Sequence, residues 1–176
     1  LHDALPIFPQ FASGDSVLAT GMENIGAIFH PALTLLNAGW IEGTRGEFDY
    51  YRDGITPAVA RALERLDAER VAVSAGLGVH AVSAREWLYL TYGASGSDLH
   101  EAIQNTTAYI GIQAPPSIFH RYVTEDVPMS LVPLASLGRM LGVPMPMTEM
   151  TIALAATMHE KDFWAEGRTV ARMGLE

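Results

Sequence analysis

The sequence predicts an all-α, multi-helix domain, and three observations carry that expectation. Apolar residues recur at helical spacing in the long segments, as in Ile25, Ile28, Leu33, Leu36 and Trp40. Helix-start chemistry stands at Thr56-Pro57, Ser83-Ala-Arg-Glu86 and Asp98-Leu-His-Glu101. No convincing long strand is present and no glycine-rich loop follows a strand, so a nucleotide-binding fingerprint is missing from the chain.

Taken in order, residues 7–19 are expected to be extended. Pro6 and Pro9 forbid a helix there, Ser13-Gly-Asp15 marks a turn, and Ser16-Val-Leu-Ala19 reads as a short strand or linker. Gly21 to Trp40 reads as one helix, kinked about one turn before Pro31, because proline removes the bond to the carbonyl of residue 27. His30 then sits at the kink. Residues 42–55, with glycines, acids and aromatics but no helical stripe, read as a loop or hairpin. The stripe Val59, Leu63, Leu66, Arg70, Val73 carries the next helix from Thr56-Pro57 to about Ala75, where Gly76 and Gly78 stop it. The two capping boxes open helices that reach Tyr92 and residue 107. Gln113-Ala-Pro-Pro116 breaks the chain, and helices are expected over 128–142, 147–160 and 168–173. Gly138, Gly142 and Gly167 read as packing or terminating glycines.

With 176 residues the chain suits one domain with a sizeable core, and 49% hydrophobic against 18% charged residues makes it globular. A net charge of −9 argues against a nucleic-acid surface, which needs clustered Lys and Arg, but one or two arginines can still hold an anionic substrate. Without cysteine there is neither a disulfide framework nor thiolate chemistry, which fits a cytoplasmic protein. The longest apolar window, Gly26–Ile41, is interrupted by His30 and Asn37 and is too short to span a membrane. The abrupt start at Leu1-His-Asp-Ala-Leu-Pro6 suggests a piece of something longer, with the first residues an artefact of assembly.

Chemistry concentrates in residues 119–128, Phe-His-Arg-Tyr-Val-Thr-Glu-Asp-Val-Pro, which set Arg121, Glu125 and Asp126 just before a helix. His30 suits proton transfer near neutral pH, although a core histidine satisfied at a proline kink is the blander account. Asp126 could be a helix cap, or could hold an imidazole and so fix its tautomer. Arg121 could merely pair with Glu125 four residues on, or could grip a carboxylate or pyrophosphate in bidentate fashion. Asn24 and Asn37 could hydrogen-bond a substrate or the kinked backbone. His80, His100, His120 and His159 show no metal-ligand spacing, and His120 is expected to point away from Arg121. Trp87, Tyr89, Tyr92, Tyr109 and Trp164 read as core or interface aromatics.

A set of segments resembles a known family. These are Asn24 with Phe29-His30-Pro31, Leu36-Asn37-Ala38-Gly39, Tyr92-Gly93, and Arg121-Tyr-Val-Thr-Glu-Asp-Val-Pro128 with Leu131-Val132-Pro133. Gly142-Val143-Pro144, Asp162-Phe163 and Gly167-Arg168-Thr169 complete it. Together they look like the α-helical C-terminal domain of opine dehydrogenases of the octopine/nopaline type, over residues 8 to 176. The resemblance implies a fold like the C-terminal domain of 6-phosphogluconate dehydrogenase. It also implies use of NAD(H) or NADP(H), bound mainly by a Rossmann domain outside this chain, with residues 1–19 as its tail or linker and 20–176 as the substrate and catalytic domain. Family members condense the amino group of an amino acid with an α-keto acid, often pyruvate, and reduce the imine. On that resemblance His30 and Asp126 meet as the catalytic pair and Arg121 holds substrate carboxylate or cofactor pyrophosphate; Asn24 and Asn37 stay candidate substrate ligands on their place in the His30 segment alone. A homodimer, but no metal, nucleic acid or membrane, is expected as partner. Two other readings compete: a related dehydrogenase of simple 2-keto or 2-hydroxy acids, and a non-catalytic helical module using the Met145, Met147 and Met150 surface.

Overall fold

The computed structural model describes residues 16–175, so the extended reading of residues 7–15 lies outside the described residues. Among those described there is no strand, and the fold is all-helical. Ser16-Val-Leu-Ala19 is a correction. The expected strand is the start of α1 (Val17–Met22), because the Ser16 hydroxyl accepts from the Ala19 amide at 3.0 Å and so caps the turn.

The single helix expected over 21–40 is divided. After α1 the chain turns at Glu23-Asn24, then forms α2 (Gly26–Leu36) and α3 (Ala38–Thr44). Pro31 stands inside α2, and the helix is interrupted on both sides of it, at Glu23-Asn24 and at Asn37 (φ −110°, ψ 15°). The Asn37 amide donates to Leu33 O at 2.9 Å and to Gly54 O at 3.0 Å, tying the α2–α3 corner to a distant loop.

Residues 45–55 form no hairpin of their own. Phe48, Tyr50, Tyr51 and Ile55 are buried, and the segment pairs with residues 112–114 through Tyr50 N–H to Ile112 O (2.7 Å) and Ala114 N–H to Phe48 O (3.1 Å). Gly46 makes this approach feasible. Its φ is +80°, and a Cβ there would lie 2.5 Å from the carbonyl oxygens of Ala114 and Pro115.

The axis of the domain is α4 (Pro57–Gly76), which packs against α1, α2, α6 (Leu99–Gln104), α8 (Val132–Leu141) and α9 (Pro146–His159). It starts where expected, with the Thr56 hydroxyl accepting from Val59 N–H. Neighbours on so many sides bury charged residues too. Glu69 accepts from Met147 N–H (2.8 Å), Thr148 N–H (2.9 Å) and the Thr148 hydroxyl (2.7 Å), capping α9, whose own cap residue Met145 has no side chain for the task. Both N-caps form as read, Ser83 accepting from Glu86 N–H at the start of α5 (Ala84–Tyr92) and Asp98 from Glu101 N–H at the start of α6. The return half of the box is replaced at α6, where the Glu101 carboxylate takes Ser97 N–H instead of Asp98 N–H; α6 ends at Gln104 and a 3₁₀ turn takes over at 107–109.

Before α8 the expected helix from 128 to 142 is irregular. A one-turn α7 (Arg121–Thr124) precedes a π turn over Val127–Leu131, in which Val132 N–H bonds to Val127 O. Pro133 accounts for the widening: it cannot donate to Met129 O, and its ring would crowd that carbonyl in an ordinary turn. The chain ends in α10 (Phe163–Glu166) and α11 (Val170–Met173), each capped by a side chain, Asp162 and Thr169. The main core joins Ile28, Leu33, Leu63, Leu131, Ile152 and Phe163; a second, smaller core joins Val73, Leu134, Leu137, Met145 and Val170. Of the three methionines read as a surface, Met145 is thus in a core, Met147 packs against one, and Met150 is exposed.

His159, at the end of α9, is 6% exposed between Phe119 and Phe163, and neither ring nitrogen has a hydrogen-bond partner among the described residues. Burial first, then the charge of Lys161, holds its pKa below the ordinary 6.5. The unfolded chain therefore binds more protons as pH drops below about 6.5, and stability falls with pH until the folded-state pKa is passed. Thermal midpoints measured from pH 7.5 to 5 should decline for the wild type and decline less for His159→Leu. Equal slopes would remove His159 as the cause.

Candidate active site

Two elements build the site: the N-terminal half of α2, and the segment from α7 through the π turn, which pack on one another. His30 Nδ1 lies 2.8 Å from Asp126 Oδ2, with the two side chains 24% and 18% exposed. Asp126 precedes the π turn without capping it, so its carboxylate is spent on the imidazole rather than on backbone amides. A carboxylate can only accept, so Nδ1 carries the proton and Nε2 presents a lone pair.

The backbone of His30 is held as well. The Tyr50 hydroxyl donates to His30 O at 3.1 Å and lies 2.7 Å from Thr34 Oγ1, which must then be the donor of that pair. Burial pushes the Tyr50 phenol well above its usual pKa, keeping it a donor, and the nearby tyrosines and Asp126 add to the effect against the Thr34 bond. Tyr122, on α7, stacks on the His30 ring at 4.0 Å and 15°. His120 meets the Tyr122 ring edge-on at 4.4 Å. Burial, Arg121 and His30 all hold the His120 pKa below its ordinary value, so this second imidazole favours the neutral form.

Asn24 belongs to the same neighbourhood. Its amide donates to the Ser130 hydroxyl in the π turn at 3.3 Å. A Cβ on Gly26 would meet both the Asn24 amide oxygen (3.3 Å) and His30 Cε1 (3.1 Å), so the absent side chain leaves room for the two groups side by side. A small cleft bounded by Met22, Asn24, Ala27, Met129, Ser130 and Pro133 opens beside them.

The other two candidate residues lie apart from this cluster. Asn37 spends its amide on Leu33 O and Gly54 O, a structural bond at the α2–α3 corner. Arg121 is exposed and pairs with Glu125 at 3.2 Å across one helical turn, with no hydrogen bond to the dyad, so the pair contributes at most about 0.5 kcal/mol. Tyr50, Tyr122 and His120 were not singled out by the sequence as site residues. The one signal for Tyr122 is its place between His120 and Asp126 in the charged segment. Among the described residues no group of three or more His, Asp and Glu side chains could hold a metal ion, and no helix is long and apolar enough to cross a membrane.

Comparison with known proteins gives this geometry a context. Residues 13–159 match the family model of the NAD/NADP octopine/nopaline dehydrogenase α-helical domain. An opine dehydrogenase of Arthrobacter sp. (strain 1C) is 41% identical over 170 residues, covering 96% of this chain and 47% of that protein. A vitopine synthase of Allorhizobium ampelinum (strain ATCC BAA-846 / DSM 112012 / S4) is 26% identical over 152 residues, 86% of this chain and 42% of its own length. The solved structure of an octopine dehydrogenase in complex with NADH and agmatine superposes with a TM-score of 0.77 at 22% identity, covering 95% of this chain and 49% of that one, and so shares the fold. The chain spans about half the length of the curated relatives it matches. With its helical fold and a match that runs through both His30 and Asp126, the chain belongs to the octopine/nopaline dehydrogenase family, as the α-helical domain of that family.

Proposed function

We propose that the chain is the catalytic and substrate domain of an opine dehydrogenase that uses NAD(H) or NADP(H). In this reading the whole protein condenses the amino group of an amino acid with an α-keto acid such as pyruvate, then reduces the imine. The observation that carries it is the 2.8 Å His30–Asp126 contact, which leaves Nε2 of the part-exposed His30 side chain without a hydrogen-bond partner among the described residues. The relatives supply the reaction class.

The described residues contain no strand–turn–helix unit to cradle a pyrophosphate, so the dinucleotide, which supplies the hydride, is held chiefly by residues outside this stretch. What the residues of this chain do is move protons. With Asp126 fixing Nδ1–H, neutral His30 accepts a proton at Nε2 from the substrate ammonium, which frees the amine to attack the keto carbon. The imidazolium so formed returns a proton to the carbinolamine hydroxyl as water leaves. Asp126 stabilises that imidazolium without taking its proton. Asn24, whose amide donates to the Ser130 hydroxyl, supplies a neutral hydrogen-bonding group on the Gly26 side of the ring. Arg121, on an exposed turn five residues before Asp126, is placed to meet an anion arriving from outside the domain rather than one buried within it.

The test is an assay of the whole protein, following oxidation of NADH and NADPH with pyruvate and a panel of amino acids and identifying the product by mass. Oxidation should require both substrates, and His30→Ala should lower kcat/KM on the order of 10²-fold or more. Oxidation that proceeds on the keto acid alone, without an amino acid in the product, would defeat the imine chemistry.

A further inference from the structure

One hydrogen bond places one constraint on the two side-chain torsions of a histidine, so χ1 and χ2 can still change together and tilt the ring while Nδ1 stays within reach of Asp126. At His30 the plane is met by Tyr122, whose ring lies parallel to within 15° at 4.0 Å. Tyr122 is itself braced. Its N–H donates to His120 Nδ1 at 3.4 Å, the His120 ring stands against it at 82°, and the buried ring of Tyr50 lies 5.5 Å away at 22°. Its neighbours Arg121 and Thr124 on the one-turn α7 are exposed, whereas Tyr122 turns inward and packs on the core. Among the described residues no hydrogen bond uses the Tyr122 hydroxyl, so what this residue offers His30 is a flat face.

We infer that Tyr122 is a positioning residue, whose ring face sets the plane of the His30 imidazole so that Asp126 and Tyr122 together aim Nε2. The catalytic consequence rests on the proposed function; the ring geometry does not. Nucleophile and base alignments are steep functions of position, and a displacement near 1 Å can cost on the order of 10²-fold in rate. The flat face should matter, and the hydroxyl should not.

The experiment uses the whole protein labelled with ¹⁵N-histidine. In the wild type the ring protons of His30 should show an upfield ring-current shift from Tyr122, and the ring nitrogens should report the Nδ1–H tautomer. Tyr122→Phe should keep both signatures and hold kcat within about 3-fold of wild type. Tyr122→Leu should lose the ring-current shift, broaden or average the tautomer signals, and lower kcat about 10-fold or more while KM moves much less. If the Leu variant does not fold, Tyr122→Met, which fills similar space without a face, gives the same comparison. Absence of the ring-current shift in the wild type overturns the inference whichever variants fold. So does a Leu or Met variant with wild-type kcat, or a Phe variant as impaired as Leu. The spectroscopic arm needs no turnover. An ordered His30 in a protein that joins no amino acid to a keto acid would defeat the functional reading alone; a freely turning ring in an active enzyme would defeat the positioning alone.

Discussion

Asp126→Asn in the whole protein should lower kcat/KM on the order of 10²–10³-fold, with the thermal midpoint within a few degrees of wild type. The two halves of that result have separate causes. The Asp126 carboxylate can only accept, which commits Nδ1 to carrying the proton and leaves Nε2 to react. An Asn amide is as small but can turn its NH₂ toward the ring, and the imidazole then takes the opposite tautomer with its lone pair facing Asn. Loss of the oriented carboxylate also removes the charge that favours imidazolium in the transition state. Wrong-tautomer substitutions of this type cost up to about 10⁴ in a well-studied triad enzyme. Stability should barely respond, because His30 and Asp126 are both part-exposed and such pairs contribute roughly 1 kcal/mol or less. At this chain length that is about 2–4 °C. Kinetics on wild type and Asp126→Asn, with a melt of each, decide it. A loss under about 3-fold would demote the pair to packing, and a large loss of both rate and stability would assign the effect to folding.

The parts of the structure that were legible in the sequence are those whose cause is local. Thr56, Ser83 and Asp98 each cap a helix with an amide three residues away, so their motifs carry the whole interaction. The parts that local pattern does not carry have distant causes. The helix break at Asn37 depends on Gly54 O, and the cap of α9 depends on Glu69, 78 residues before Met147. α7 is only four residues long, too short for any periodicity, and it holds its place by packing on α2. Ser16 is a local signal that points the other way from the expected strand or linker, since its hydroxyl caps α1 through the Ala19 amide. At the site, His30 and Asp126 stand 96 residues apart, and nothing in local pattern joins them. Their meeting was expected from resemblance to a family. The aromatic column of Tyr50 and Tyr122 was not, because neither residue departs from an ordinary core tyrosine until its neighbours are known.

Arg70 is a charge buried within the stripe from which α4 was expected. It occupies a position in the otherwise apolar stripe Val59, Leu63, Leu66, Val73, and a lone arginine on the inner face of a helix must find partners or not be there. It finds them. Nε and Nη2 donate to Asp67 Oδ1 at 2.9 and 2.7 Å, and the remaining donors reach Met22 O at the end of α1 and Val82 O before α5. Asp67 Oδ2 in turn accepts from Ala84 N–H at 2.6 Å, so the pair fastens α1 and α5 to α4. With Arg70 and Asp67 only 2% and 4% exposed, Arg70→Ala strands a carboxylate and two carbonyls, and should cost about 3–5 kcal/mol. That is a large share of the 5–15 kcal/mol typical of a whole domain, and corresponds to a fall in melting temperature of roughly 6–20 °C. Arg61→Ala, on the exposed side of the same helix, should change the midpoint by no more than a degree or two. Removing both charges, as Asp67→Leu with Arg70→Met, should recover part of the loss, because the stranded carboxylate rather than the missing attraction dominates the single variant. Recovery should remain incomplete, since Met22 O, Val82 O and Ala84 N–H still lack their partners. Urea or thermal unfolding of the four proteins measures each difference. A single Arg70→Ala loss below about 1 kcal/mol would show that water reaches Asp67 and that α1 is held by its apolar contacts instead. The turn that carries Asn24 toward His30 would then owe its position to packing and not to the guanidinium.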